Sequence, residues 1–503
     1  MQNSKKFVIS CLVLFSLAAC AGQNQSESLS SSDASVSSQA STTLDFYCVN
    51  DFHGSVIERM NGNYYEAGIE KCFGRLKELK QRDPEHTVIL SAGDMFQGSF
   101  ESNFNYGNFV TEAMNAVPFD AMTLGNHEFD YGIEKLLTNR DLAQFPMLAG
   151  NIRKVEGTVD KGDWEEFGSS FVLERGGCKI GIVGMIGAAQ TTSITSTYVS
   201  TLDFADPESF AISESASLKA QGCNVVILTL HADSKELGMW TESKNLKKYF
   251  DGVFTGHSHR RNNDTIGGVR AVQSYCNGEA ISHIQLRVRG DSVTTSYSEN
   301  INSNKSWQKS NEISAVCDKY FQNETFLEKQ NGVAGTLSGS FNPTTVTDFS
   351  AQSIYHRFIG EHPTLAVVIE NKQRASVNTG TVTYSDLYKA LPFTNHIVIA
   401  DVPGRDILSN AKVNETYTGD LLNYGTLEPN QIYRIAVIDY LFYHQNEKKV
   451  FDYYPSLNTG EAKVVADVPE YPVDIAYDYF VNACEGKVSA SDYGGGDHFN
   501  HYR

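Results

Sequence analysis

The sequence predicts an α/β protein with two domains, and three observations support this prediction. Its 503 residues exceed the roughly 100–200 residues typical of one domain. Hydrophobic residues make up 41% and charged residues 20%, which is the composition of a folded protein. From residue 44 to about residue 293, short apolar runs alternate with segments of helical spacing. The runs that we interpret as buried strands are Leu44–Val49, Thr87–Ala92, Ala121–Leu124, Ile180–Val183, Val225–Leu230 and Val253–Phe254.

A segment of helical spacing separates this first domain from a second unit. Apolar residues recur there three and four positions apart, so we predict a linking helix within residues 304–331. The first domain is accordingly assigned to residues 44–303 and the second to residues 332–503. The second unit has strand-like runs of its own, at Thr364–Ile369, Ile397–Val402 and Tyr433–Ile438.

The N-terminus has the features of an export signal. Two lysines precede an apolar run, Phe7–Ala19, that is shorter than the about 20 residues needed to span a bilayer. Small residues and then Cys20 follow, which resembles the lipobox of bacterial lipoproteins; an ordinary signal peptide with a chance cysteine is the alternative. We therefore expect a signal peptide at residues 1–19, and a lipidated Cys20 with a Ser-rich tether at residues 20–43. The protein would be exported and lipid-anchored to a bacterial envelope membrane, at the outer membrane or cell surface.

The charge balance excludes one class of partner. The chain carries 41 basic and 60 acidic residues, a net charge of −19. Such a chain is repelled by nucleic-acid polymers and anionic lipid surfaces. Membrane association would therefore depend on Cys20 alone. A small phosphate ligand would need local positive charge from a metal or from a few arginines.

Five of the predicted strands are followed by metal-ligating or acidic side chains. Ligand sites of layered α/β folds form at the carboxyl ends of strands, so these loops are expected to converge. Each motif alone is weak, because Asp-x-His and His-x-His also occur in ordinary turns. Coincidence does not readily explain all of them in one domain. The segments are Asn50–Gly54, Gly93–Gly98, Gly125–Gly132, His231–Asp233 and Thr255–His259.

In chain order, these motifs resemble those of the calcineurin-like metallophosphoesterases. The extended segment Gly125–Gly132 resembles the secreted bacterial 5′-nucleotidase family, and the resemblance spans roughly residues 44–455. It implies a four-layer αββα metallophosphoesterase sandwich as the catalytic domain, then the linking helix and a second, smaller α/β substrate-binding domain. The implied activity is release of phosphate from nucleoside 5′-monophosphates.

The resemblance also implies a centre of two divalent metal ions. Such a pair can clamp a phosphoryl group and generate hydroxide near neutral pH. The mixed donors suit Zn²⁺, Mn²⁺, Co²⁺ or Fe²⁺ better than Ca²⁺. Asp94 is the implied bridging ligand. The first metal would be completed by Asp51, His53 and His259, and the second by Asn126, His231 and His257.

His127 and Asp130 are the implied catalytic pair. Asp130 lies three positions after His127, so they would share one face of a helix beginning there. Asp130 would orient the imidazole and favour its cationic form. In the family this pair stabilises the transition state and helps to protonate the leaving alcohol. A plainer interpretation makes Asp130 a complement to the helix dipole. Glu128 is expected to be structural.

Two segments of the second unit, residues 373–384 and 391–395, resemble the substrate-binding domain of the same family. The resemblance implies that Arg374 binds the anionic end of the substrate and that Phe393 stacks on the base. These roles suit an arginine and an exposed aromatic ring. Asn395 is a further implied substrate-binding residue. A core position for Phe393 is the alternative.

The second unit also departs from the family pattern. The sequence Glu370–Gln373 replaces a glycine run, and the segment that carries a second stacking ring is missing at its expected place. The run Tyr440–Tyr454 stands there instead, and any of its aromatic residues could serve, with Phe451 as our choice for that ring. If the pocket is remodelled, other substrates remain alternatives: a 2′,3′-cyclic nucleotide, a nucleotide sugar or a sulfur ester. A non-catalytic surface lipoprotein that binds nucleotides is the remaining alternative.

Overall fold

The computed structural model describes residues 41–61, 64–157, 159–371, 373, 375–410, 415–418, 427–444 and 453–493. These residues belong to one compact unit, Ser41–Arg503. Three predicted site residues, Cys20, Arg374 and Phe451, lie outside the described residues. Within the described ranges, no helix combines the length and the apolar character needed to cross a bilayer.

The first domain alternates strands and helices as the sequence predicts. Its strands β1 to β17 are, in chain order, Thr42–Val49, Arg59–Asn61, Tyr64–Glu66, Thr87–Ser91, Ala121–Thr123, Met147–Leu148, Ile152–Glu156, Val159–Asp163, Ser170–Arg175, Cys178–Ile186, Leu202–Phe204, Val225–His231, Gly252–Thr255, Arg261–Ile266, Val269–Ser274, Ala280–Arg289 and Ser292–Asn302. Its helices α1 to α6 are Gly68–Arg82, Phe100–Asn103, Asn108–Ala116, Ile133–Leu142, Pro207–Ala220 and Ser234–Met239.

Two six-stranded sheets form the centre of this domain. Their strand orders are β17-β16-β1-β4-β5-β6 and β14-β15-β13-β12-β10-β9. Within the first sheet β1 is parallel to β4, and within the second β10, β12 and β13 are parallel. The carboxyl ends of the strands that carry the motifs therefore lie at one edge of each sheet.

The two sheets pack face to face with helices on the outside. Alternate side chains of β1 separate: Leu44 and Phe46 enter the core between the sheets, whereas Tyr47 and Val49 face α1 and α3. In the second sheet, Ile182 enters the same inner core while its neighbours pack under α5 and α6. The four-layer αββα sandwich is thus confirmed.

The linking segment is two helices rather than the single one predicted. Helix α7 spans Asn311–Phe321 and helix α8 spans Glu324–Gln330. The Asn323 side chain accepts a hydrogen bond from the Phe326 backbone N–H and so starts a new helix. Apolar spacing continues across this cap, which is why the sequence suggested one helix.

The second unit is a smaller α/β domain. Its strands β18 to β25 are Val333–Ser338, Leu365–Asn371, Gly380–Thr383, Ile397–Pro403, Glu415–Thr418, Ile432–Ile438, Lys463–Val468 and Lys487–Ser489. Its helices α9 to α13 are Pro343–Ile359, Tyr384–Ala390, Gly404–Asn410, Asp439–Phe442 and Pro472–Asp478. The strands form one sheet in the order β22-β19-β23-β21-β24 and a small one in the order β20-β18-β25. Helix α9 contributes side chains to the hydrophobic cores that pack against both of these sheets.

Contacts between the two domains surround the site loops. Phe100 of α2 enters a core cluster of the second domain and stacks on Phe326, with ring centroids 5.2 Å apart. Gln97 Nε2 donates to the Pro392 carbonyl at 2.8 Å, and Asn103 Nδ2 donates to the same carbonyl at 3.0 Å. The loop after β4 is therefore fixed against the segment that carries Phe393.

Candidate metal centre and substrate cavity

The seven predicted metal ligands meet where the two sheets end. Strands β1, β4 and β5 of the first sheet present Asp51, His53, Asp94 and Asn126, whereas β12 and β13 of the second present His231, His257 and His259. Among the residues that the structure describes, three groups have ligand atoms within 4.8 Å of one another: Asp51–His53–His259, His53–Asp94–His127 and Asp94–His231–His257. Asp94 belongs to two groups, a position compatible with the bridging role that the sequence suggests.

Backbone carbonyls orient two of the imidazoles. His53 Nδ1 lies 2.8 Å from the Gln97 carbonyl oxygen, and His231 Nδ1 lies 2.7 Å from that of Ala92. A carbonyl only accepts, so each Nδ1 carries the hydrogen and each Nε2 is turned into the site. A neutral imidazole in this tautomer presents an Nε2 lone pair, the form in which histidine binds metals.

The inward-facing atoms are mostly hydrogen-bond acceptors. His53 Nε2 lies 2.8 Å from His259 Nε2, and Asn126 Oδ1 lies 3.1 Å from His231 Nε2. The Nδ2 of Asn126 is buried and has no hydrogen-bond partner among the described residues. Acceptors this close repel unless positive charge lies between them, either as protons or as cations. The donor set therefore fits divalent metal ions.

The pKa shifts show the same demand for positive charge. Burial opposes protonation of His231, but the Asp94 carboxylate beside it raises the pKa of His231 to about 10. Burial raises the pKa of Asp51 to about 7, although His231 acts in the opposite direction. Burial likewise acts to raise the pKa of Asp94, yet the surrounding imidazoles hold it well below its ordinary value. A cation between these groups would satisfy them together.

The ligand positions carry unusual backbone conformations. Five of them have positive φ without being glycine, and these are Asp51 at 50°, His53 at 50°, Asp94 at 57°, His257 at 71° and His259 at 52°. Such angles are uncommon for ordinary residues and cost free energy that the surrounding structure must offset. Their concentration at one site is typical of a functional centre.

Glu128 holds the loops around Asp94 in place, as the sequence predicts for a structural residue. Its carboxylate accepts hydrogen bonds from the backbone N–H groups of Asp94 at 2.8 Å, Met95 at 2.7 Å and Gly125 at 2.6 Å. Gly125 allows the close approach, since a Cβ there would lie 2.3 Å from Asp94 Oδ1.

His127 and Asp130 form the predicted pair, within a tighter helix than expected. Residues Asn126–Phe129 form a 3₁₀ helix, in which residues three apart are eclipsed. His127 Nδ1 lies 2.7 Å from Asp130 Oδ2, with His127 buried and Asp130 partly exposed. Asp130 lies at the C-terminal end of this helix, where a carboxylate does not complement the dipole. Contact with His127 therefore accounts better for its position.

A cavity of about 310 Å³ opens beside this pair, at the lower limit of small-molecule sites. Both domains line it. The first domain contributes Asn126, His127, Asp130, Ser193, Thr195, Tyr198 and His257, and the second contributes Glu370, Gln373, Leu391, Phe393, Thr394, Asn395, Ile438, Tyr440 and Pro472.

Phe393 and Asn395, two of the predicted substrate residues, lie in the wall of this cavity. The ring centroid of Phe393 is 6.2 Å from that of His127, and its side chain is partly exposed rather than part of a core. The segment Ser193–Tyr198 after β10 carries no motif that predicts it, and Tyr440 belongs to the run of aromatic residues from which Phe451 was chosen. Neither carries a metal-ligating motif, so proximity to the other domain is what identifies them.

Comparisons with known proteins agree with both domains. Residues 44–261 match the model of the calcineurin-like phosphoesterase family, and residues 326–416 match that of the 5′-nucleotidase C-terminal domain. An apyrase from Tabanus yao is 26% identical over 424 residues, which cover 73% of this chain and 72% of the apyrase. A 5′-nucleotidase from Vibrio cholerae is 24% identical over 465 residues, which cover 82% of this chain and 81% of that protein.

The fold is also that of a solved structure, a 5′-nucleotidase precursor from Thermus thermophilus. The two superpose with a TM-score of 0.73 over 91% of this chain and 99% of that one, at 17% sequence identity. This likeness concerns the fold alone. The family models show that a calcineurin-like phosphoesterase domain precedes a 5′-nucleotidase C-terminal domain in this chain, and the relatives indicate a phosphoric ester hydrolase.

Proposed function

We propose that this protein releases phosphate from nucleoside 5′-monophosphates with the help of two divalent metal ions. The observation that carries the proposal is the cavity that joins the acceptor-lined ligand cluster to Phe393 and Asn395 of the second domain. One end suits a phosphate held by cations. The other end suits a nucleobase, which has a flat face for an aromatic ring and polar edges for an amide.

We assign the first metal to Asp51, His53 and His259 and the second to Asn126, His231 and His257, with Asp94 shared by both. The choice among Zn²⁺, Mn²⁺, Co²⁺ and Fe²⁺ is left to experiment. When bound, such ions supply positive charge to the phosphoryl oxygens and lower the pKa of water. The fixed tautomers of His53 and His231 keep their Nε2 atoms directed into the site without further reorganisation.

His127 is assigned to the leaving group. Because Asp130 accepts from Nδ1–H, we assign the second nitrogen, Nε2, to the substrate. In the imidazolium form, Nε2–H donates first to the ester oxygen and then transfers its proton as that oxygen leaves. The Asp130 carboxylate stabilises the positive charge on the ring and fixes its orientation.

The nucleoside is assigned to the second domain. Phe393 is the proposed stacking partner of the base and Asn395 its hydrogen-bonding partner, with Arg374 proposed for the anionic end. The second stacking ring is assigned from sequence to Phe451. Tyr198 and Tyr440 line the cavity and are the alternatives for that ring.

A substrate panel tests the proposal. The chelator-treated protein is reloaded separately with Mn²⁺, Co²⁺, Zn²⁺ and Fe²⁺, and phosphate release is measured from AMP and p-nitrophenyl phosphate. A 2′,3′-cyclic nucleotide, a nucleotide sugar and a sulfur ester form the remaining arms. We expect AMP to have the highest kcat/KM. A higher value for another ester would reassign the substrate, and inactivity on the whole panel would favour a nucleotide-binding lipoprotein without turnover.

We further propose that the protein acts outside the cytoplasm, anchored by a lipid on Cys20. The support is the leader pattern of residues 1–19 and the small residues before Cys20. Mass spectrometry of the mature N-terminus after bacterial expression tests this. Cys20→Ser should abolish lipidation and move the protein from the membrane fraction, and an unmodified Cys20 in the unaltered protein would contradict the proposal.

A further inference from the structure

A buried pair, Asn395 and Asp439, lies at the second-domain end of the cavity. Asn395 lines the cavity just before β21, and Asp439 follows β23 as the first residue of α12. The two strands are antiparallel neighbours with Ile397 opposite Ile438, which brings the pair together. The exposed fractions are 9% for Asn395 and 5% for Asp439.

The chemistry of this contact fixes which way the Asn395 amide points. An ionised carboxylate can only accept hydrogen bonds, so the nitrogen of an adjacent amide must face it. Asn395 Nδ2 lies 2.8 Å from Asp439 Oδ1. The same carboxylate oxygen accepts from the Tyr440 backbone N–H at 2.7 Å, which holds the carboxylate in its place.

The second N–H of the amide is also directed at the protein. Asn395 Nδ2 lies 3.5 Å from the hydroxyl oxygen of Thr195, which belongs to the first-domain loop on the other side of the cavity. Asn395 Oδ1, in contrast, has no hydrogen bond within the part of the chain that the structure describes. Its remaining capacity is therefore that of an acceptor.

We propose that Asp439 is a positioning residue that makes Asn395 an acceptor, so that the cavity selects leaving groups with an N–H donor at this point. The inference rests on the proposed function, since it takes the leaving group to be a nucleoside. A free asparagine side chain can rotate its amide and serve donors and acceptors alike. When Asp439 holds the amide, Asn395 Oδ1 accepts a hydrogen bond from the amino group of adenine and repels a carbonyl oxygen at the same position.

Three purine nucleosides that differ only in the substituent at position 6 test this polarity: adenosine with an amino group, purine riboside with hydrogen and 6-methoxypurine riboside with an ether oxygen. Their binding to the full-length protein is measured by calorimetry, which requires no turnover. A gained hydrogen bond of ordinary strength predicts about tenfold tighter binding of adenosine than of purine riboside. The 6-methoxy nucleoside, which offers only an acceptor there, should bind no better than purine riboside.

Two variants separate positioning from mere structure. Asp439→Asn lets the Asn395 amide rotate, so the ratio of the affinities for adenosine and 6-methoxypurine riboside should fall close to one. The exchange Asn395→Asp with Asp439→Asn should restore the preference, because the carboxylate at 395 again presents an oxygen to the cavity. If Asp439 had only a structural role, Asp439→Asn would weaken the binding of all three nucleosides equally, and the exchange would not restore their affinities.

Asp467→Asn is the matched control. Asp467 lies on the neighbouring strand β24, half exposed, with its Oδ1 3.8 Å from His396 Nδ1. Its loss removes a nearby negative charge without touching the Asn395 amide, so the adenosine preference should remain. If Asp439→Asn fails to fold by its thermal transition, Asn395→Ala replaces it and should lose the preference by removing the acceptor.

The outcomes keep the inference distinct from the proposed function. Hydrolysis of AMP without any adenosine preference, or a preference unaffected by Asp439→Asn, would overturn the inference and leave the function standing. A preference that follows Asp439 in a protein that hydrolyses no ester would support the inference and overturn the function. In an active enzyme, the KM for AMP should rise in Asp439→Asn while kcat changes little.

Discussion

Removing the Asp130 carboxylate should slow the reaction most for esters with poor leaving groups. Asp130 Oδ2 lies 2.7 Å from His127 Nδ1, and neither residue is among the seven predicted metal ligands. In Asp130→Ala, the imidazole loses both its orientation and the charge that stabilises its protonated form. The step affected is protonation of the departing oxygen, and the metal content should remain that of the unaltered protein.

The size of the effect follows from the bond that is lost. A hydrogen bond to a charged group contributes about 1.5–3 kcal/mol. Since about 1.4 kcal/mol corresponds to a factor of ten in rate, kcat for AMP should fall about 10- to 150-fold. The p-nitrophenolate ion departs readily without a proton, so its ester should lose less than about threefold.

The measurement is the ratio of kcat values for AMP and p-nitrophenyl phosphate, with metal content determined on the same samples. The chain offers a matched control in Asp83→Ala. Asp83 also lies three residues from a histidine, with its Oδ1 2.8 Å from His86 Nδ1, but that pair is exposed. This control should leave the ratio unchanged. An equal loss on both esters, or loss of metal in Asp130→Ala, would refute the assignment of His127 to the leaving group.

Three further predictions concern the surroundings of the centre. Asp94→Ala should abolish activity and reduce bound metal measured by mass spectrometry, because it removes the residue shared by two ligand groups; full metal content would contradict the bridging role. Gly125→Ala should do the same, since its Cβ would lie 2.3 Å from Asp94 Oδ1. Gly238→Ala should retain metal, because a Cβ there would meet no described residue within 4 Å beyond its chain neighbours and its own helix backbone. Burial, with a second carboxylate nearby, raises the pKa of Glu279 to about 7 from 4.5, so its ionisation destabilises the folded state as pH rises through that range. Glu279→Gln should therefore raise the free energy of unfolding at pH 8 by about 1–2 kcal/mol, after allowance for partial solvent screening, and by less at pH 5. The thermal midpoint measured at both pH values checks this, and equal shifts at both would exclude this cause.

The ligand cluster could be located from sequence because each ligand follows a strand that is itself easy to identify. Asp51 and Asp94 follow apolar runs, and parallel pairing of β1 with β4 brings their loops side by side. Backbone hydrogen bonds then join those loops, with Asp51 N donating to the Gly93 carbonyl at 2.9 Å and His53 N to that of Asp94 at 3.0 Å. Strand order and local spacing together therefore determine this part of the site.

The cavity wall could not be found in the same way. Thr195 and Tyr198 follow β10 without any motif, and hydroxyl residues are common in loops. Their place in the site depends on Asn395 and Tyr440, more than 190 residues away in the chain. The sequence also hides the polarity of Asn395, because an asparagine donates and accepts equally until its neighbours are known.

The metal ligands are divided between two sheets, so the core between the sheets determines the spacing of the centre. The first sheet holds Asp94, while the second holds His231, whose Nε2 lies 3.2 Å from Asp94 Oδ2. The Thr123 and Thr229 hydroxyls contact each other between the sheets just below these residues. Interiors are packed closely enough that removing one buried side chain shifts its neighbours. The four-layer architecture therefore contributes directly to the site. The inner core positions the carboxylate from one sheet against the imidazole from the other, and the second domain packs at the edge where the carboxyl ends of the strands lie.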